Sequence, residues 1–364
     1  MTHENAFLDK VIPELDRLLG RFPAPEGVRP GVLVALSGGA DSTALLLAAV
    51  AWRERDGGPD HHDRPLAAVH VNHRLRGEAS DRDETFCAGL CLGLDVPLHV
   101  RRTEPGADGS EDAARRRRRR IYAELLDAHP DLAACATAHH RDDQLETLVM
   151  RFFRGAGAEG MRGIRPVAGR IIHPLLGVGH AEIEAFLEAR GQDWRTDPTN
   201  TDGSNTRSRV RTELLPLARD IFGPAADTAP ARLAKLLTSD TAVLETIARG
   251  LLAGLLADGD GTSLPVADLT TLAPPVSSRV VRLYLRDHCG VETDLARVHV
   301  ERLLDWLPGS RPGRGIDLIG GWRAFLQRDR PVFRAPPRPP PPPPPRPRVR
   351  PARAGGSAGP RRGA

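Results

Sequence analysis

VLVALSGGADSTALLLAAV, residues 32–50, sets two apolar runs on either side of Ser37-Gly38-Gly39-Ala40-Asp41-Ser42. The first run, Val32 to Leu36, is short and rich in β-branched residues, and the second is long enough for a helix. A strand, a glycine-rich turn and a helix make a phosphate cradle. Glycines let the backbone approach an anion, and the helix N-terminus offers unpaired N–H groups and the positive end of its dipole. Ser37 and Ser42 add hydroxyls. Asp41 is the informative residue, because a carboxylate beside phosphates is repulsive unless a cation lies between them, which points to Mg2+ held through Asp41. Neither G-x-x-x-x-G-K-[ST] nor G-x-G-x-x-G is present. No phosphate-binding lysine is available either, since the chain contains only Lys10 and Lys235.

Outward from this stretch, β-leaning runs recur at 31–36, 66–71, 96–100 and 132–137. Helical stretches separate them at about 42–53, 79–93, 110–128 and 142–153. Strands alternating with helices predict an α/β fold: a doubly wound parallel sheet with helices on both faces, followed by a smaller, mainly helical C-terminal domain. Ligands of such sheets bind at the carboxyl ends of the strands. The polar clusters Ser37–Ser42, Asn72-His73 and His139-His140 all follow strand ends.

The expected organisation is an N-terminal helix interrupted at Pro13 and a loop over 1–30, then a nucleotide-binding domain over 31–163. The strand pair near 165–173 reads as part of a linker leaving that domain, within an extension over 164–223. A C-terminal domain over 224–335 follows, ending in short strands. The tail, 336–364, is rich in proline and arginine and is expected to form no core.

The formal net charge is +4, but the tail carries seven arginines and no acid, so the rest of the chain stands at −3. Any anion-binding surface there must be local. The cysteines at 87, 91, 135 and 289 form no C-x-x-C pair, so they support neither a zinc site nor a dithiol redox motif. The N-terminus has no secretory h-region and no window matches a membrane span, so the expectation is a cytoplasmic protein with no membrane partner.

A second cluster lies in ATAHHRDDQLETLVMRFFRGAGAEGMRG, residues 136–163. Asp142 and Glu146 are spaced i,i+4, and Asp143 and Glu146 i,i+3, so the three acids project over one sector of a helix. Acids there complement the helix dipole. Beside His139-His140 they also make a polar site suited to a cationic substrate or a metal.

S-G-G-x-D-S resembles the loop of the ATP-pyrophosphatase superfamily, whose members release pyrophosphate and transfer AMP. Residues 136–163 are similar to the A-H-H-x-D-D-Q-x-E-T segment of the tRNA(Ile)-lysidine synthetase family, with its following R-G-x-G-x-x-G. HVNHRLR at 70–76 and the stretch from His173 to Pro216 resemble the same family.

The resemblance implies a ligase that joins free L-lysine to C2 of the wobble cytidine of isoleucine tRNA with a CAU anticodon, through an adenylated tRNA. It assigns Ser37, Gly38, Gly39, Ala40, Asp41 and Ser42 to ATP, with Mg2+, and Asp143 and Glu146 to the lysine ammonium. His139, His140 and Asp142 would line the reacting centre with Asp41, which of them takes the amine's proton being left open. Arg115 and Arg118, within the run Arg115–Arg120, and Arg207 and Arg211 are candidates for phosphate or tRNA contact; the last two could instead pair with local acids such as Glu213. Oligomeric state stays open, a homodimer included.

His180, Thr199, Asn205 and Ser208 depart from the family pattern; His180 stands where an arginine is usual. The alternatives are a tRNA thiolase of the same superfamily, a non-catalytic RNA-binding protein, and an amidotransferase or NAD synthetase. The missing cysteine pairs, the intact loop and acids, and the absent glutaminase motifs speak against them in turn.

Overall fold

The structure is a computed structural model. It describes residues 3–23, 29–55, 64–74, 77–103, 111–196, 206–257, 264–289, 297–309, 311, 314–318, 322–327 and 330–334. The tail and the departures Thr199 and Asn205 lie outside these residues. The chain divides into two compact units, Met1–Val243 and Leu244–Ala364.

In the first unit, helix α1 (His3–Leu19) leads to β1 (Gly31–Ala35), α2 (Ala40–Glu54), β2 (Leu66–Asn72), α3 (Glu78–Gly93), β3 (Leu98–Arg102), α4 (Glu111–Ala128), β4 (Leu132–Ala136) and α5 (Arg141–Phe153). Two short strands follow, β5 (Val167–Ala168) and β6 (Ile171–Ile172), then α6 (His180–Ala189). Next come α7 (Thr206–Arg209), a π-helical turn at Val210–Leu214, α8 (Leu215–Phe222) and α9 (Ala225–Ala257), whose residues from Leu244 on belong to the second unit. The sheet order is β3-β2-β1-β4-β6-β5, parallel from β3 to β6 with β5 antiparallel at the edge. The doubly wound expectation holds.

Alternation along β1 explains the two layers. Val32 and Val34 join a core built with α1, α2, α3 and α6, whereas Leu33 faces Ile121, Tyr122, Leu125 and Leu126 of α4. Both faces are apolar, as a sheet covered on both sides requires. Chain order moves from β1 to β2 and β3 on one side, then returns to place β4 on the other side of β1. Val34 is paired with Ala136, so the segments after β1 and β4 emerge side by side at the switch point, where open α/β sheets bind ligands.

Two expectations change. Helix α1 runs through Pro13 without interruption. An internal proline costs about 3 kcal/mol. Against that, Phe7, Val11, Leu15 and Leu18 are almost wholly buried, and Phe7 stacks on Phe186 of α6 at 4.2 Å. The strand pair near 165–173 is not a linker leaving the domain: β6 hydrogen-bonds to β4 and extends the sheet. Ile172 is fully buried in the core, which gives the pair a reason to stay.

The second unit has its own core, with Val280, Val281 and Tyr284 of α11 (Pro274–Asp287), Val300 and Leu303 of α12 (Arg297–Trp306), and Leu269 of the short α10 (Val266–Thr271). An antiparallel meander, β7 (Gly315–Asp317), β8 (Arg323–Gln327) and β9 (Arg330–Arg334), adds Ala324.

Candidate active site

The stretch between β1 and α2 is tied by its own hydroxyls. Ser42 Oγ accepts from the Ser37 N–H at 3.1 Å, lies 3.0 Å from Ser37 Oγ and donates to the Gly39 carbonyl at 3.1 Å. Gly38 takes φ +91°, which costs an L side chain strain, and a Cβ there would stand 3.3 Å from Cys87 Sγ and from the Phe86 ring. The N-cap of α2 is Gly39, and no side chain caps the helix. The first-turn N–H groups are therefore offered to a ligand.

After β4, His140 is the N-cap of α5 and is almost completely buried. Its Nδ1 accepts the Asp142 N–H at 3.2 Å, and its own N–H donates to Asp143 Oδ2 at 3.1 Å. Its Nε2 faces Asp41 Oδ2 at 3.7 Å. Burial works against a charge on His140, but Asp142, Asp143 and Asp41 outweigh it and hold its pKa above the ordinary imidazole value. His139 goes the other way. Burial lowers its pKa, against Asp143, and the charges of Arg115, Arg207 and Arg118 lower it further. Its Nδ1 lies 2.9 Å from Thr137 Oγ1, and its ring packs edge-on against His173. His173 is buried too, and burial takes its pKa down to about 4.

Asp142 is fully engaged. Oδ2 accepts the His180 N–H at 2.9 Å, tying α5 to the start of α6, and Oδ1 accepts from Arg219. Burial opposes its charge, yet bonds from His140, His180 and Arg219 hold its pKa far below the carboxylate range. Such a carboxylate positions its neighbours and is a poor proton acceptor. Asp41 meets His180 directly, Oδ1 to Nδ1 at 3.0 Å.

Asp143 and Glu146 sit where α5 meets α7 and the π-helical turn. Glu146 has no exposed side-chain surface. Its Oε2 accepts from Arg207 Nε at 2.6 Å, and its Oε1 from Arg211 Nε at 2.5 Å. Asp143 Oδ1 accepts from Arg207 at 2.8 Å and lies 3.5 Å from Arg211. Burial opposes the charge on Asp143, but His140, His139 and Arg207 keep its pKa below the usual range. Glu213 pairs with Arg209 instead, Oε2 to a guanidinium nitrogen at 2.9 Å.

Asp41, His139, His140, Asp142, Asp143 and Glu146 thus form one cluster beside the Ser37–Ser42 loop, and Arg207 and Arg211 close it. Arg115 and Arg118 remain exposed on α4, on the side from which their charge reaches His139. Sequence reasoning missed the roles of His173, His180 and Arg219. Only His180 carried a signal, as a departure from the family pattern.

This fold and site define a PP-loop nucleotide-binding protein, and the PP-loop domain family matches residues 12–218. The chain is 36% identical over 315 residues to the tRNA(Ile)-lysidine synthase of Geobacter sulfurreducens, covering 81% of this chain and 63% of that one. It is 35% identical over 343 residues to the tRNA(Ile)-lysidine synthase of Symbiobacterium thermophilum, covering 88% and 68%. The chain belongs to the tRNA(Ile)-lysidine synthase family. It spans about two thirds of the length of these relatives. The U34-tRNA thiolase NcsA of Methanococcus maripaludis is 16% identical, with a TM-score of 0.49 over 65% of this chain and 81% of that one. No described helix is long and apolar enough to cross a membrane.

Proposed function

We propose that the chain ligates L-lysine to C2 of the wobble cytidine of isoleucine tRNA with a CAU anticodon, consuming ATP and releasing AMP and pyrophosphate. One observation carries this reading. At the switch point of the sheet, an uncapped phosphate-type loop stands beside the buried Glu146 and half-buried Asp143 carboxylates, and two cationic side chains already satisfy them. A place that accepts guanidinium donors has the charge and the acceptors an ammonium needs.

The first-turn N–H groups of α2 and the Ser37 and Ser42 hydroxyls hold the ATP phosphates. The Asp41 carboxylate fits Mg2+, which is bound through one or two carboxylates with substrate phosphates and would neutralise phosphate charge there. Cytidine O2 attacks the α-phosphorus and pyrophosphate leaves. The lysine amine, positioned through Asp143 and Glu146, then forms the C–N bond at C2, and AMP leaves with the oxygen. The amine must lose a proton to attack. His139 suits that step, because burial and the nearby arginines favour its uncharged form and Thr137 can hold the Nδ1–H, leaving a lone pair on Nε2. Arg115 and Arg118 are assigned to phosphate or tRNA backbone, and residues 224–335 to tRNA docking.

Release of AMP tests the reading. It should require ATP, Mg2+, lysine and the CAU isoleucine tRNA together for complete turnover. Turnover at the same rate without lysine would contradict it.

A further inference from the structure

The contact between Asp41 and two histidines is not explained by Mg2+. Asp41, His140 and His180 each bring one donor atom within 4.8 Å of the others; His140 Nε2 lies 3.7 Å from Asp41 Oδ2 and His180 Nδ1 lies 3.0 Å from Asp41 Oδ1. Mg2+ takes oxygen ligands, whereas imidazole nitrogens with a carboxylate suit zinc-class first-row dications. The far nitrogen of each ring adds a second observation. His140 Nδ1 lies 3.5 Å from Asp142 Oδ2, and His180 Nε2 lies 3.4 Å from Glu184 Oε1. His180 therefore has one nitrogen turned to Asp41 and the other to a separate carboxylate, while His140 turns Nδ1 to Asp142 and Nε2 to both Asp41 and Asp143, at 3.7 and 3.6 Å. Metal-binding histidines have this second partner, which fixes the tautomer and strengthens the ligand.

We propose that Asp41, His140 and His180 form a binding site for a borderline dication of the zinc class, separate in chemistry from the Mg2+ that accompanies ATP. Zinc bonds to nitrogen and oxygen are about 2.0–2.2 Å long, so donors sharing an ion stand closer together than 4.8 Å. His180 can make up the difference, because its side chain is nearly half exposed at the first residue of α6. His140 is held by the α5 N-cap and supplies the fixed edge. To bind through Nε2 its ring carries the proton on Nδ1, exchanging the Asp142 N–H for the Asp142 carboxylate. Three protein ligands leave a coordination position open, as in catalytic rather than structural zinc sites.

The test uses the full chain, stripped with a chelator and free of ATP and tRNA, so its outcome does not depend on the ligase reading. Zn2+ is titrated against a chromophoric chelator, and Co2+ is followed by its visible spectrum. One equivalent of Zn2+ should bind, and millimolar Mg2+ should not displace it. His180→Ala should weaken binding at least tenfold. Glu184→Gln, which touches only the supporting carboxylate, should weaken it about ten- to a hundredfold. Melting in chelator checks that both variants fold as the parent does. Unchanged Zn2+ affinity in His180→Ala, no Zn2+ binding at all, or a sulfur-to-cobalt charge-transfer band that assigns the ion to cysteine would each overturn the proposal.

Discussion

Arg207 Nε donates to Glu146 Oε2 over 2.6 Å, although 61 residues separate the two in the chain. Glu146 is wholly buried, and Arg211 holds its other oxygen. A lysine ammonium directed to Asp143 and Glu146 would use the oxygens that these guanidiniums now hold. Removing one charged donor should therefore favour the amino acid. Arg207→Ala is expected to bind free lysine about tenfold more tightly, since one charge-assisted hydrogen bond is worth about 1.5–3 kcal/mol. Calorimetry of lysine binding checks this, and weaker binding by the variant would contradict the shared use of these oxygens.

Glu146→Gln keeps the shape and removes the charge. Lysine use should fall much more than adenylation of tRNA, seen as a raised KM for lysine with tRNA-dependent pyrophosphate release retained. Arg207 and Arg211 are about 36% and 43% exposed, so water can recover part of what they lose. The stability cost is then about 1–3 kcal/mol, readable by urea unfolding. An unaltered lysine KM would remove Glu146 from the lysine site.

Gly38→Ala tests the loop. At φ +91° the added methyl group brings backbone strain and a close approach to Cys87 and Phe86. The expected loss is about 1–2 kcal/mol of stability, together with weaker ATP binding. Full stability and normal ATP affinity would mean that the loop does not depend on this conformation.

Legibility in the sequence followed chain distance. The Ser37–Ser42 turn and the His139–Glu146 cluster each lie within one short segment, so spacing alone exposed them. The contacts that complete the site do not. His180 reaches Asp41 from 139 residues away, and Arg219 reaches Asp142 from 77. No periodicity encodes such pairs. Arg207 and Arg211 were legible as a helical pair, but their partners were not: Glu213 is near in sequence, yet Arg209 takes it. Pro13 does not break α1 because burial of Phe7, Val11, Leu15 and Leu18 outweighs its local helix-breaking propensity.

His173 gives a pH dependence with a definite sign. Burial lowers its pKa from 6.5 to about 4 in the folded chain, while the unfolded chain keeps the ordinary value. Between these values the unfolded state binds more protons, so stability is intact above about pH 6.5 and declines as pH falls toward 4. The contribution is about 3 kcal/mol by the low end of that window. His173→Gln should shallow the fall in unfolding free energy between pH 6.5 and 4. The same slope in parent and variant would show that His173 does not take up the proton.

Lysine ligation is read out by incorporation of labelled lysine into purified tRNA. Isoleucine tRNA with a CAU anticodon is the substrate and methionine tRNA the control, each with the full chain, ATP and Mg2+. Label is expected in the isoleucine tRNA alone. Label in neither, with AMP and pyrophosphate still released, would contradict lysine ligation while leaving the nucleotide site in place.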